Sequence, residues 1–169
     1  MKPSSAPIPF ALVAVLAAAL LAGCGGPRTV ELPVRGVSPL NPNEAQESTP
    51  VDVRVWALAG ADRFKAATVD QLWIDAKGTL GSDLLDDPRS FTVFPGAAGD
   101  PAVLQRLEVP ASTKFIGVLA MYQRSDAQDQ RATVAPIEVV EKHGLVLTGF
   151  SVAVSLPAEA AVTPAANPK

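Results

Sequence analysis

Few side chains in this sequence could carry out chemistry, and their types and spacing limit what that chemistry could be. His143 is the only histidine and Cys24 the only cysteine. A histidine base needs a nucleophile to activate. His143 has no thiol partner, stands before Gly144 in a turn-like segment, and no Gly-Xaa-Ser-Xaa-Gly elbow is present. Zinc needs three or four nitrogen, sulfur or carboxylate ligands, and one histidine with one cysteine falls short. Asp86 and Asp87 could suggest calcium or acid chemistry, but adjacent acids before Pro88 read as a solvated turn. Trp56 and Trp73 could form a sugar platform; one adjoins a valine-rich strand and the other an apolar helix stripe, so both read as packing residues. The expectation is a protein that is not an enzyme and uses no metal or cofactor.

Cys24 needs another reason to exist, because a single cysteine in an exported chain rules out a disulfide framework. Export itself follows from the N-terminus, where Lys2 precedes an apolar run from Phe10 to Ala22 that ends in small residues. The run is shorter than the roughly 20 residues of a spanning helix, so residues 1–23 read as a cleaved signal peptide. Leu21-Ala22-Gly23-Cys24 resembles the bacterial lipobox, which implies an N-acyl, S-diacylglycerol cysteine at the start of the mature chain. Each buried CH₂ of such a lipid contributes about 0.8 kcal/mol, so several chains on Cys24 would anchor the domain firmly. Position 25 is Gly and not the Asp associated with inner-membrane retention, which favours the outer membrane.

The whole sequence of 169 residues has a formal net charge of -3. Its basic residues are scattered singly, without a Lys/Arg cluster, which argues against nucleic-acid binding. The length suits one domain with appendages.

The elements that must position a site follow from pattern. Residues 24–28 form a lipidated leash. Thr29 to Val37 reads as a strand that Pro33 restricts to a sheet edge. Ser38 to Pro50, with three prolines and two asparagines, reads as an exposed loop. Val51, Val53 and Val55 then alternate with polar or aromatic neighbours, placing the valines on a core face. Thr68-Val69-Asp70-Gln71 fits a capping box, so a helix is expected there, burying Leu72, Trp73 and Ile74 and ending at Lys77-Gly78. Leu80, Leu84 and Leu85 extend the cover, giving a helical insert at about 62–87. Strands are expected again at Arg89–Phe94, Ala102–Val109, Phe115–Tyr122, Ala132–Ile137 and Leu145–Leu156, with Phe115–Tyr122 central and Gly117 admitting a close neighbour. In the last strand Val146, Phe150, Val152, Val154 and Leu156 are assigned to one face. Residues 157–169 are Ala/Pro-rich without periodicity and are expected to be disordered. Together these predict an antiparallel β-sandwich over residues 29–156 with a short helical insert.

In order and spacing behind the lipobox, these segments resemble the TssJ (SciN-type) lipoproteins of the type VI secretion system. The resemblance is carried by Leu40-Asn41-Pro42 through Val51-Asp52-Val53-Arg54-Val55-Trp56-Ala57-Leu58, and by Asp70-Gln71-Leu72-Trp73 with Leu80-Gly81-Ser82-Asp83-Leu84-Leu85. Phe94-Pro95-Gly96 and Phe115-Ile116-Gly117-Val118-Leu119-Ala120-Met121-Tyr122 complete it. The sequence departs from the family pattern with Thr49, where Ser usually precedes the proline, and with Glu44 to Glu47 in place of a Gly-containing turn.

The resemblance implies a transthyretin-like β-sandwich, lipid-anchored to the outer membrane and facing the periplasm. It implies as partner the periplasmic C-terminal region of TssM, the IcmF-like inner-membrane protein, bound through Pro39, Leu40, Asn41, Pro42, Asn43, Glu44, Gln46 and Glu47. No small-molecule substrate is expected. The competing reading is a periplasm-facing lipoprotein that binds a small ligand or cell-wall sugar. Prolines in the loop support docking independently, because limited conformational freedom lowers the ordering cost of binding.

Overall fold

A computed structural model of the chain describes residues 26–124 and 131–155. The signal peptide, Cys24, most of the loop after Arg124 and the tail from residue 156 lie outside the described residues.

Two four-stranded sheets face each other. One has the order β4-β1-β7-β8 and the other β3-β2-β5-β6. The strands are β1 (Arg28–Leu40), β2 (Val51–Leu58), β3 (Arg89–Val93), β4 (Val103–Val109), β5 (Phe115–Met121), β6 (Ala132–Pro136), β7 (Leu145–Gly149) and β8 (Ser151–Val154). All pairings are antiparallel except β1 with β7, which run parallel. The expected β-sandwich is therefore present, with one parallel pair inside it.

The valine alternation of β2 does what the pattern requires. Val51, Val53 and Val55 are buried in the cluster between the sheets, where Val30, Leu32 and Val34 of β1 join them. The other face of β2 is also covered. Trp56 and Leu58 are fully buried in a second cluster with Phe64, Leu72, Leu80 and Leu119, beneath the helical insert.

That insert holds three short helices, α1 (Asp62–Ala66), α2 (Val69–Ile74) and α3 (Ala76–Leu80), then a 3-10 turn at Gly81–Asp83. The capping box forms as expected: Thr68 Oγ1 accepts from the Gln71 amide at 3.2 Å, and Gln71 Oε1 accepts from the Thr68 amide at 2.9 Å. Gly117 also does what its place in an apolar strand suggested. A Cβ there would lie 2.5 Å from the Phe64 ring, so glycine lets α1 settle onto β5.

Several boundaries differ from the sequence reading, each for a local reason. β1 is interior, not an edge. Its proline is accommodated because Pro33 pairs with Leu104 on one side while the β7 ladder begins only at Val34. The helix expected to run to Lys77-Gly78 stops at Ile74, and a new turn begins where Asp75 Oδ1 accepts from the Gly78 amide at 2.8 Å. Of its three apolar residues only Leu72 is buried; Trp73 and Ile74 face outward.

The long last strand is a hairpin. Thr148 pairs with Ser151 across Gly149-Phe150, and Gly149 takes a φ of 56°. The core face of β7 is Leu145 and Leu147, not Val146. A helix absent from the sequence reading, α4 (Ile137–His143), buries Ile137 and Val140 and follows directly on Pro136.

Candidate functional site

The loop expected to bind a partner begins later than its composition suggests. β1 continues to Leu40, and Leu40, Asn41 and Pro42 are buried. Asn41 is 2% exposed with φ at 46°, a backbone conformation that asparagine tolerates better than most residues. Every polar group it carries is satisfied. Its side-chain amide donates to Thr49 Oγ1 at 2.8 Å and to the Pro50 carbonyl at 3.1 Å. Its Oδ1 accepts from the Gln123 amide at 2.9 Å, and its own amide donates to the Gly149 carbonyl at 2.7 Å. Thr49 Oγ1 in turn donates to the Asn41 carbonyl at 2.6 Å. One residue thus ties the loop base to the start of β2 and the end of β5 through its side chain, and to the β7–β8 turn through its backbone amide.

The tip is stapled separately. The Gln46 amide donates to the Asn43 carbonyl at 3.0 Å and the Glu47 amide to Asn43 Oδ1 at 2.9 Å. Asn43 Nδ2 closes onto Glu47 Oε2 at 3.0 Å. Gln46 itself sits at a φ of 61°. The result is a small rigid turn that projects Glu44, Ala45, Gln46 and Glu47 into solvent, while Pro39 lies exposed at its foot. Neither Glu44 nor Glu47 has an ion pair among the described residues. The arrangement presents carboxylates and amide groups on a fixed frame, which suits recognition of a polar or basic protein surface.

The other residues singled out in the sequence are dispersed. His143 is the last residue of α4, next to Gly144, which packs against Pro33 of β1 and not against this loop. Asp86 pairs with Arg89 at 3.1 Å and caps the Asp87 amide. Trp56 is buried against Phe64, with ring centroids 5.9 Å apart. Trp73 is half-exposed, but the Arg54 guanidinium lies 3.5 Å from its ring centroid and covers one face. Among the described residues no cluster of three metal-ligating side chains exists. Gln123 was missed in the sequence, and no local signal marks it, because its role depends on where β5 ends relative to Asn41.

Fold and loop together define a β-sandwich with a hydrogen-bonded loop between its first two strands. The family model of the type VI secretion lipoproteins (VasD, EvfM, TssJ) matches residues 28–149, and the chain belongs to that family. It is thus a structural lipoprotein component of a secretion system, not an enzyme.

Solved structures agree on the fold. Serratia marcescens Lip, described as a membrane-bound component of the type VI secretion system, is 21% identical. The match covers 74% of this chain and 95% of that one, with a TM-score of 0.61. The lipoprotein TssJ1 from Pseudomonas aeruginosa is 24% identical over 79% of this chain and 99% of its own, with a TM-score of 0.59. A chain in the structure described as the T6SS protein TssM C-terminal domain from EAEC is 22% identical, covering 76% and 98%, also at 0.59. No curated protein matches the chain.

Proposed function

We propose that this lipoprotein is anchored in the outer membrane by acylated Cys24 and faces the periplasm. There its β1–β2 loop docks the periplasmic C-terminal region of a TssM-like inner-membrane protein. The observation that carries the reading is the course of β1. The strand starts at Arg28, four positions after Cys24, and runs for 13 residues to Leu40, at the foot of the loop. At about 3.3 Å per residue it separates the two by roughly 40 Å. An anchor and a recognition loop at opposite ends of a rigid sandwich suit a tether between a membrane and a partner below it.

The loop's hydrogen bonds support the same reading, since a pre-ordered loop gives up little conformational entropy on binding. Of the eight residues expected to contact the partner, Pro39, Glu44, Gln46 and Glu47 are exposed and Asn43 half-exposed; these would make the contacts. Leu40, Asn41 and Pro42 would hold the frame.

The test is calorimetric titration of the soluble domain, lacking Cys24, with the periplasmic C-terminal region of the TssM-like protein from the same cell. Saturable binding that is lost when residues 43–47 become a Gly/Ser linker supports the proposal. An intact domain that shows no binding up to millimolar concentrations refutes it.

A further inference from the structure

One corner of the sandwich leaves a core-facing position uncovered. Val30, Leu32 and Val34 of β1 stand opposite Leu107, Gln105 and Val103 of β4, and directly opposed residues share a face of the sheet. On that face Val34 and Leu107 are buried, yet Val103 is 62% exposed. The cover is missing because β3 ends at Val93 and the chain then turns outward, leaving Phe94 69% exposed. The turn is pinned to β1, with the Ser38 amide donating to the Gly96 carbonyl and the Gly96 amide to the Gly36 carbonyl, both at 2.9 Å. Between them lies a slot of about 400 Å³, walled by Val34, Val93, Phe94, Pro95, Pro101 and Val103.

Two further features mark the slot as unfinished. β4 pairs with β1 alone, so its other edge offers unpaired backbone groups. Arg35 lines the slot with a buried Nε that has no hydrogen-bond partner among the described residues, while its Nη1 lies 3.5 Å from the Ala98 carbonyl. A buried donor without an acceptor is costly, and on this half-buried side chain it is the terminal guanidinium donors that an incoming carbonyl would meet.

We propose that this slot is a second part of the partner-docking surface. An extended segment of the TssM-like partner adds to the free edge of β4 and seats one bulky apolar side chain between Val103 and Phe94. A backbone carbonyl of that segment accepts from Arg35. The inference rests on the docking reading above, and continuity favours this occupant: the Ser38–Gly96 bond places the slot directly beside the foot of the β1–β2 loop. The tail of this chain is less well placed. It leaves after Ser155, whose amide bonds to Gly144, and β8 is the opposite edge of the sheet from β4.

The experiment compares four soluble proteins by titration with the same periplasmic region: wild type, Val103→Asp, Ile74→Asp, and the loop replacement at residues 43–47. Ile74 is 81% exposed on the helical insert and controls for adding a carboxylate to an apolar surface position. Val103→Asp should weaken binding at least about tenfold, equivalent to about 1.4 kcal/mol, with thermal stability retained and Ile74→Asp unchanged. If Val103→Asp binds like wild type while the loop replacement does not bind, the slot proposal falls and the docking reading stands. If wild type itself fails to bind, both fall. If Val103→Asp instead abolishes a wild-type dimer seen by light scattering, a second copy fills the slot. If removing residues 157–169 tightens binding through a vacated slot, the tail fills it. Either of those results overturns the proposal.

Discussion

Asn41 concentrates at one residue what makes the loop usable. Removing its side chain leaves the Gln123 amide and the Pro50 carbonyl without their partly buried hydrogen bonds, and puts alanine at a φ of 46°. Each lost hydrogen bond contributes about 0.5–1.5 kcal/mol and alanine in the left-handed region costs about 1 kcal/mol more, so Asn41→Ala should lower stability by roughly 2–3 kcal/mol in urea denaturation. It should also speed amide exchange across residues 41–50. Tyr122 gives a prediction in pH. Burial raises its phenol above the ordinary value of 10, and its hydroxyl donates to the Ser151 carbonyl. The unfolded chain therefore loses the proton first. Stability from the neutral phenol is intact below about pH 10 and is lost as pH rises toward the folded-state value. Tyr122→Phe should cost about 0.5–1.5 kcal/mol near neutrality and show a shallower decline above pH 10, measured by denaturation at a series of pH values. Little of this was legible in the sequence. The prolines and asparagines of residues 38–50 announce a loop, but the burial of Leu40, Asn41 and Pro42 depends on Gln123 and Gly149, far away in the chain.

Elements were legible where one periodicity dominates. β2 shows a clean alternation, β5 is apolar throughout, and the capping box marked the start of α2 from four residues. Thr68→Ala should remove that cap at a cost of about 1 kcal/mol, seen as a lower thermal midpoint. Gly117→Ala should cost about 1–3 kcal/mol by overpacking against Phe64, and Phe64→Leu in the same chain should recover part of the loss. Elements were misread where two signals competed. In Leu145–Leu156 the apolar residues run through the hairpin turn, and Phe150 hid the role of Gly149. In α4, Ile137 reads as the end of the preceding strand and residues 138–144 carry no assigned element, although Glu138 in the first turn, Lys142 and His143 in the last and Gly144 beyond them are helix boundary signals. Trp73 and Ile74 do not share the core with Leu72, because a helix of six residues has room to bury only one narrow face.

At the scale of the whole molecule, the proposed separation between anchor and loop rests on β1 alone, and a single long strand is legible only once Pro33 is seen to sit where β7 has not yet begun. The exposed corner at Val103 was not legible at all. By pattern Val103 is an ordinary inward residue, and only the outward turn after Val93 uncovers it. The proposed tether requires the two ends of the sandwich to act together, so lipid and loop should be separately necessary for recruiting the partner to a membrane. The direct measurement is flotation of outer-membrane-like vesicles carrying the lipidated protein, mixed with the soluble periplasmic region of the TssM-like protein. Wild type should carry the partner to the vesicle fraction. Cys24→Ser should leave both proteins at the bottom, and the 43–47 replacement should float without its partner. Partner that floats equally well with the replaced loop, or that fails to float with wild type, would contradict the account.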